Sequence, residues 1–156
     1  GKGAAVQKGL QRAMQRRFEW ALLMDGDGQH AAGDIPKFLS VTGALLVIGD
    51  RMGDAGKMPW VRRFVNRWMS GRLSRRLGMA LPDTQCGFRL VHLPSWAKLN
   101  LKTSHFGIES EMLKAFVETG HSVQFVPIQV IYERESSKID PIVDTVRWFR
   151  WWSHAS

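Results

Sequence analysis

The sequence predicts a single α/β domain in which buried strands alternate with helices. Two short apolar runs, residues 20–24 and 44–48, have the length and composition of strands buried on both faces, as in a parallel sheet. Around them, apolar side chains recur every three or four residues, the period of a helix that packs one face on a core. At 156 residues the chain has the size of one domain.

The composition favours a negatively charged partner. Lysine and arginine outnumber aspartate and glutamate by 22 to 14, which gives a net charge of +8. Such an excess points to a nucleic acid, an anionic membrane surface or a phosphate-bearing substrate. No apolar run reaches the roughly 18–20 residues that a membrane-spanning helix needs. Cys86 is the one cysteine, and we expect it to be buried as a small apolar side chain.

The first elements lead to a pair of carboxylates. Residues 6–17 have helical spacing, and the strand 20–24 that follows ends in Asp25, Asp27 and Gln29. Side chains two residues apart in an extended segment point to the same side, so both carboxylates can face one point. Carboxylate and amide oxygens suit Mg²⁺ or Mn²⁺. The alternative is a polar turn, because Asp-Gly dipeptides are common in turns.

The second strand brings a cation to the same edge of the sheet. A short helix, with Asp34 as its N-cap and Pro36 in its first turn, is predicted to run through Leu39. It precedes strand 44–48, after which come Gly49, Asp50 and Arg51. In open α/β sheets, ligands bind beyond the carboxyl ends of the strands. Arg51 is therefore a candidate for binding phosphate, although a surface arginine is the commoner outcome.

A long basic helix is predicted over residues 59–77. Its apolar positions include Trp60, Phe64 and Trp68, and its polar positions carry arginine. This pattern fits a helix at a membrane surface, and it fits equally well a helix that packs on the core with its arginines in solvent.

The rest of the chain continues the α/β pattern. We expect a strand over 88–92, a helix over 112–117 that Gly120 ends, and a strand over 123–132. A polar loop and a last helix over 140–152 follow.

Seven segments match one family in the correct order. The chain resembles the family 2 glycosyltransferases, and within them the polyprenyl-phosphate sugar transferases of the dolichol-phosphate mannosyltransferase type. The segments cover nearly the whole chain: Gly-Lys-Gly-Ala-Ala at 1–5, Met-Asp-Gly-Asp-Gly-Gln-His at 24–30, Ile-Gly-Asp-Arg at 48–51, Asp-Thr-Gln-Cys-Gly-Phe-Arg at 83–89, Phe-Gly-Ile-Glu-Ser-Glu at 106–111, Val-Pro-Ile at 126–128 and Ser-Lys-Ile at 137–139.

The resemblance implies a GT-A fold. In that fold a Rossmann-like sheet with flanking helices uses an Asp-x-Asp motif and a divalent metal to hold a nucleotide-diphosphate sugar. Residues 1–156 would then form one catalytic domain that lacks the family's first strands, which bind the nucleotide base.

The resemblance also implies roles for individual residues. Asp25, Asp27 and Gln29 match the metal ligands, for Mg²⁺ or Mn²⁺. The acid Glu109 matches a position that can act as general base toward a hydroxyl acceptor, although acids at a helix start also suit the helix dipole without any catalytic role. Catalytic roles fall to Asp27, Glu109, Arg134 and Lys138, and substrate-binding roles to Lys2, Arg51, Asp83, Arg89, Arg134 and Lys138.

The predicted function is inverting transfer of a sugar from a nucleotide diphosphate to a polyprenyl phosphate or another membrane-proximal acceptor, such as a glycan. We expect a cytoplasmic protein that is peripheral to the cytoplasmic face of a membrane. The predicted membrane contacts are Trp60, Arg63, Phe64, Arg67 and Trp68, with Trp148, Arg150, Trp151 and Trp152 in the last helix. No nucleic acid is expected as a partner. Two alternatives stay open: a non-catalytic basic module that binds membranes or nucleic acid, and an inactive fragment of the transferase.

Overall fold

The chain folds into a four-stranded mixed sheet with helices packed on it. A computed structural model describes residues 1–53, 58–102 and 107–131. In chain order the elements are α1 (Lys2–Gln15), β1 (Trp20–Leu23), a 3-10 turn (Ala32–Asp34), α2 (Ile35–Leu39), β2 (Leu46–Asp50), α3 (Trp60–Leu77), β3 (Arg89–His92), α4 (Leu93–Trp96), α5 (Ile108–Glu118) and β4 (Val123–Pro127). The predicted α/β class with flanking helices is confirmed, and the architecture is that expected of a Rossmann-like GT-A domain.

The strand order brings three carboxyl ends to one edge of the sheet. The order is β1-β3-β2-β4, with β3 antiparallel to both β1 and β2, and with β2 parallel to β4. The strands β1, β2 and β4 therefore run in the same direction. Asp25 and Arg51, which follow β1 and β2, lie at the same edge of the sheet, as the sequence predicted.

The expectation that strand 20–24 is buried on both faces, as in a parallel sheet, is wrong. Within the described part of the chain, β1 pairs with β3 alone and antiparallel, and its Trp20 is 37% exposed. The strand β2 has a neighbour on each side, and its residues from Leu46 to Gly49 are buried. An apolar run thus identifies a strand, but the neighbours decide how deeply it is buried. The strand predicted over 123–132 is shorter in the structure than expected: β4 ends at Pro127.

The core lies between the sheet and the helices. Phe88 stacks on Phe38, with ring centroids 4.3 Å apart, and also on His30, at 5.0 Å. Cys86 is fully buried beside them, as predicted. Burial raises the pKa of its thiol to about 12, so the thiol stays protonated and behaves as an apolar side chain.

The helix α3 packs on the domain through a face that carries two apolar and two polar residues. Its buried residues are Asn66, Met69, Ser70 and Leu73, which recur at helical spacing. Trp60 is 73% exposed and Phe64 66% exposed. The helix bounds match the prediction to within one residue, but these two aromatic side chains lie at the surface rather than in the core.

Within residues 1–53, 58–102 and 107–131, no helix is both long enough and apolar enough to cross a bilayer. The predicted site residues Arg134 and Lys138 lie outside the described residues, and so does the predicted helix 140–152 with its four proposed membrane contacts.

Candidate active site

A small pocket opens where the carboxyl end of β1 meets the first turns of α1 and α5. Its volume is about 50 Å³. The charged residues that line it are Lys2, Asp25, Arg89 and Glu109, and apolar side chains such as Val6 and Met112 line the rest. Four of the residues predicted from the sequence therefore meet in one pocket, although they come from four separate segments of the chain.

One ammonium joins two carboxylates in this pocket. The Lys2 Nζ lies 2.6 Å from Asp25 Oδ1 and 2.7 Å from Glu109 Oε1. Burial alone would lower the pKa of Lys2, but the charges of Glu109 and Asp25, with their hydrogen bonds, outweigh it and raise the pKa above its usual value. The lysine is therefore charged at neutral pH. The Arg89 guanidinium lines the same pocket, so the two carboxylates face two cationic groups.

The absence of a side chain at Gly87 makes room for the Asp25 carboxylate. A Cβ placed on Gly87 would lie 2.7 Å from Asp25 Oδ1 and closer still to Oδ2. Real Cβ atoms do not approach oxygen so closely, so any other residue at this position would displace the Asp25 side chain. The glycine of the segment 83–89 thus has a specific steric purpose.

A buried histidine fixes the backbone at the same aspartate. The Asp25 N–H donates to His30 Nδ1 over 3.2 Å, which requires that this nitrogen carry no proton. Burial lowers the pKa of His30 and outweighs the opposing effect of the Asp25 charge, and this favours the neutral ring. The bond between Asp25 and His30 closes the turn, and a second bond lies inside it, in which Asp27 Oδ1 accepts the Gln29 N–H over 3.0 Å.

The predicted metal ligands offer a small set of oxygen donors. No group of three or more His, Cys, Asp or Glu side chains in the described ranges could hold a metal ion by itself. Asp25, Asp27 and Gln29 supply two carboxylates and an amide. This set fits Mg²⁺ or Mn²⁺ bound partly by substrate phosphates, because such ions commonly take one or two protein carboxylates and fill their other positions from the substrate and water.

Arg51 is held by a fully buried carboxylate. Its Nε and Nη2 donate to the two oxygens of Asp83 over 2.7 and 2.9 Å, and the Asn66 amide donates to Asp83 Oδ1 over 2.9 Å. Burial alone would raise the pKa of Asp83, but the charge of Arg51 and the hydrogen bonds from Arg51 and Asn66 lower it below its usual value. The carboxylate is therefore ionised at neutral pH and orients the guanidinium at the sheet edge.

The loop that carries Asp83 is bonded to two helices. The Ser70 hydroxyl of α3 accepts the Thr84 N–H over 3.0 Å. The Gln85 amide donates to the Ser110 hydroxyl of α5 over 2.7 Å. Residues 83–85 are thus fixed to both α3 and α5.

Arg89 is fully buried and bonds to the backbone. Its guanidinium donates to the carbonyl oxygens of Cys86 (2.7 Å), Glu109 (2.6 Å) and Thr84 (3.0 Å). Burial lowers its pKa. These bonds give Arg89 a part in shaping the pocket wall, beside the substrate-binding role that the resemblance implies for it.

Sequence reasoning missed several residues of the site. Asn66 and Ser70 were among them, and the signal available was a pair of uncharged polar residues four apart on one helix, which places them on one face. His30 and the steric purpose of Gly87 were also missed, although both lie inside matched segments. The contacts of Asn66, Ser70 and Gly87 join residues 14 or more apart in the chain, so the spacing of residues does not predict them, whereas the His30 contact spans only five residues.

Comparison with known proteins supports the predicted resemblance. No family model matches the chain. The chain is 31% identical to "Glycosyltransferase AglJ" of Haloferax volcanii, over 92% of this chain and 49% of that protein. It is 29% identical to an undecaprenyl-phosphate mannosyltransferase of Micrococcus luteus, over 95% of this chain and 67% of the relative. It is 27% identical to a polyprenol monophosphomannose synthase of Mycolicibacterium smegmatis, over 86% of this chain and 54% of the relative.

The chain is thus similar in sequence to glycosyltransferases that include polyprenyl-phosphate sugar transferases, as its motifs predicted. The relatives are enzymes of the glycosyltransferase type. The chain spans about half the length of the first of these relatives.

We expect Asp83→Asn to lower the free energy of unfolding by about 3 kcal/mol at pH 7, because it breaks a buried ion pair from one side. The folded-state pKa of Asp83 is lowered, so the stability that the carboxylate contributes is present above its unfolded pKa of about 3.9 and disappears as the pH falls through the folded value. The difference from the parent protein should therefore shrink below about pH 4. Urea denaturation at several pH values measures it.

The matched control is Glu118→Gln, which removes a half-exposed carboxylate that lies 3.7 Å from the Lys114 ammonium. It should change the unfolding free energy by less than about 0.5 kcal/mol. A loss for Asp83→Asn that is the same at pH 7 and in acid would contradict the assignment.

We expect Gly87→Ala to destabilise the fold by about 1 kcal/mol, because the new methyl group overlaps the Asp25 carboxylate, which must move away from its position beside Lys2. Gly9→Ala in α1 is the control, since a Cβ there meets nothing within 4 Å. That control should stabilise the helix by up to about 1 kcal/mol. Equal effects of the two substitutions in urea denaturation would show that the Asp25 side chain does not rest on Gly87.

Proposed function

We propose that this chain forms part of the active site of an inverting, metal-dependent glycosyltransferase that transfers a sugar from a nucleotide diphosphate to a polyprenyl phosphate. The observation that carries the proposal is the pocket in which Lys2, Asp25 and Glu109 meet at the carboxyl edge of the sheet. Its support from sequence is the similarity to relatives whose names specify undecaprenyl-phosphate and polyprenol monophosphate sugar chemistry.

In this proposal Asp25, Asp27 and Gln29 hold a Mg²⁺ or Mn²⁺ ion together with the donor diphosphate. When bound, the ion neutralises the negative charge that develops as the nucleotide diphosphate leaves the sugar. The chain's own part is to fix these oxygens before the substrate arrives. The hydrogen bonds from the Asp25 N–H to His30 and from the Gln29 N–H to Asp27 keep the turn in one conformation.

Arg51 supplies positive charge at the same edge of the sheet. Two hydrogen bonds to Asp83 already orient its guanidinium. Binding of a phosphate group would therefore cost little further side-chain entropy at Arg51. The Asp83 carboxylate also offsets much of the positive charge of Arg51, so Arg51 attracts phosphate only at short range. We assign Arg134 and Lys138 to the acceptor and donor phosphates, as the resemblance implies, and there they would add positive charge.

The acceptor class decides what Glu109 does. A phosphate monoester has a second pKa of about 6, so it is largely a dianion at neutral pH and attacks the sugar without a general base. With a polyprenyl phosphate as acceptor, Glu109 therefore does not need to accept a proton. Its role is then to hold the Lys2 ammonium, at 2.7 Å. A hydroxyl acceptor, such as a glycan, would instead need Glu109 as base.

The surface of α3 supports a peripheral position at a membrane, which we propose to be at its cytoplasmic face. Trp60 and Phe64 are exposed one turn apart, with Arg63 and Arg67 on the same helix. Aromatic rings in the interface and arginines at anionic headgroups are a common combination for such helices. Trp68 is less available, because it is half-buried and the Arg72 guanidinium lies 5.2 Å from its ring centroid.

We expect binding of a nucleoside diphosphate to require Mn²⁺ and Asp27. In calorimetry, excess chelator should abolish binding, and Asp27→Asn should weaken it at least about tenfold, because one ion ligand loses its charge. Transfer of hexose from a panel of nucleotide-diphosphate sugars to polyprenyl phosphate in detergent should show the same dependence.

The control for this experiment is Glu118→Gln, an exposed acid at the end of α5 that should leave binding unchanged. Nucleotide binding or sugar transfer that survives both the chelator and Asp27→Asn would overturn the proposed metal site.

We expect the double substitution Trp60→Ser and Phe64→Ser to weaken binding to vesicles that contain anionic lipid by at least about tenfold, since each aromatic ring contributes about 1.5–3 kcal/mol when buried. A sedimentation assay measures it. Phe18→Ser is the matched control, because Phe18 is 59% exposed and lies outside α3. Equal vesicle binding by all three proteins would contradict the membrane role, and steeply salt-dependent binding of nucleic acid in its place would favour the rival basic module.

A further inference from the structure

The charged cluster of the pocket contains more than the predicted metal ligands. The Lys2 ammonium is bonded to Asp25, the first of those ligands, at 2.6 Å, and it is bonded equally closely to Glu109, which is not a predicted ligand. About a quarter of the side chain is exposed at Lys2 and at Asp25, and a tenth at Glu109. The Lys2 ammonium is therefore paired with the same carboxylate, that of Asp25, that is expected to bind a divalent ion.

The position of Lys2 is not explained by the stability of its own helix. It is the first residue of α1, where the helix dipole is positive and where no acidic residue of the first turn offsets it. A lysine there is unfavourable unless other charges hold it. The carboxylates of Asp25 and Glu109 are those charges, and they come from the end of β1 and the start of α5.

The two bonds of Lys2 also differ in their surroundings. The Glu109 residue is anchored in α5, and its carbonyl oxygen accepts a 2.6 Å bond from the buried Arg89. Asp25 belongs to a turn at the mouth of the pocket, where its neighbour Asp27 is exposed to solvent. Glu109 is thus the fixed partner of the ammonium, and Asp25 is the partner within reach of an incoming ion.

We propose that Lys2 is an internal counter-cation that neutralises Asp25 while the site holds no divalent ion and that gives up this carboxylate, but not Glu109, when the ion binds. The inference rests on the proposed metal site at Asp25 and Asp27. Lys2 is here a positioning residue, because it keeps two like charges from repelling each other and leaves the ammonium beside the ion after exchange. In this arrangement the Lys2 ammonium competes with the metal ion for Asp25, and this competition sets the affinity of the site for the ion.

The test is the affinity of the protein for Mn²⁺ alone, measured from the electron paramagnetic resonance signal of the free ion. Lys2→Met should bind Mn²⁺ at least about tenfold more tightly than the parent protein, because the competing ammonium is gone. A purely structural role for Lys2 predicts the opposite sign, since a disordered site binds ions less well. Lys8→Met, an exposed lysine on the same helix, is the matched control and should change the affinity less than about twofold.

A second variant keeps the proposal testable if Lys2→Met folds poorly. Glu109→Gln removes the second partner of the ammonium, so Lys2 should hold Asp25 more firmly, and Mn²⁺ binding should weaken by at least about fivefold. In the Lys2→Met background the same substitution should have less than half of that effect on the free energy of binding. Strictly additive effects would mean that both charges act on the ion only from a distance, and would overturn the exchange.

The failure of this inference is distinguishable from the failure of the metal site. Mn²⁺ binding that Asp25→Asn removes, but that Lys2→Met leaves unchanged or weakens, would overturn the exchange and leave the metal site standing. Mn²⁺ binding that Asp25→Asn does not affect in any background would overturn both.

Discussion

The geometry of the site depends on the burial of one guanidinium. Arg89 is 1% exposed, and it donates to carbonyl oxygens of Thr84, Cys86 and Glu109. A buried arginine is tolerated only if its donors are satisfied, so these carbonyls are held in fixed positions around it. Because Arg89 begins β3 while Glu109 lies in the first turn of α5, a single side chain sets the distance between the sheet edge and that helix. The pocket is lined by both residues, so the Arg89–Glu109 bond also fixes the position of its wall.

The loop before β3 is fixed from the other side by α3. Asn66 and Ser70 bond to Asp83 and Thr84, so the helix meets the loop through a polar interface rather than an apolar one. Such an interface specifies one register, because a shift of the helix would leave a buried carboxylate without its donors. The Arg51 guanidinium then takes its direction from Asp83.

The parts of this molecule that are local in sequence were predictable, and the parts that depend on tertiary contact were not. Helical spacing predicted α3 to within one residue, and the ends of β1 and β2 predicted the edge where the site lies. Periodicity does not say which polar residues of a helix meet the domain, so the burial of Asn66 was missed, whereas the exposure of Trp60 agrees with its predicted place at the surface. The family segments named Lys2 and Glu109 as site residues, but only the fold brings the two side chains together.

The two faces of α3 connect the site to the proposed membrane surface. Trp60 and Asn66 are six residues apart, which is a rise of about 9 Å along the helix. The aromatic residues that would enter a lipid interface are therefore close, along the helix axis, to Asn66. Asn66 bonds to Asp83, and Asp83 orients the Arg51 guanidinium. Because the polar face of the helix is bonded to the site loop, the helix cannot rotate about its axis without breaking those bonds. A membrane that binds Trp60 and Phe64 would then also fix the height of Arg51 above the lipid, and in the proposed reaction a polyprenyl phosphate could approach it without leaving the interface.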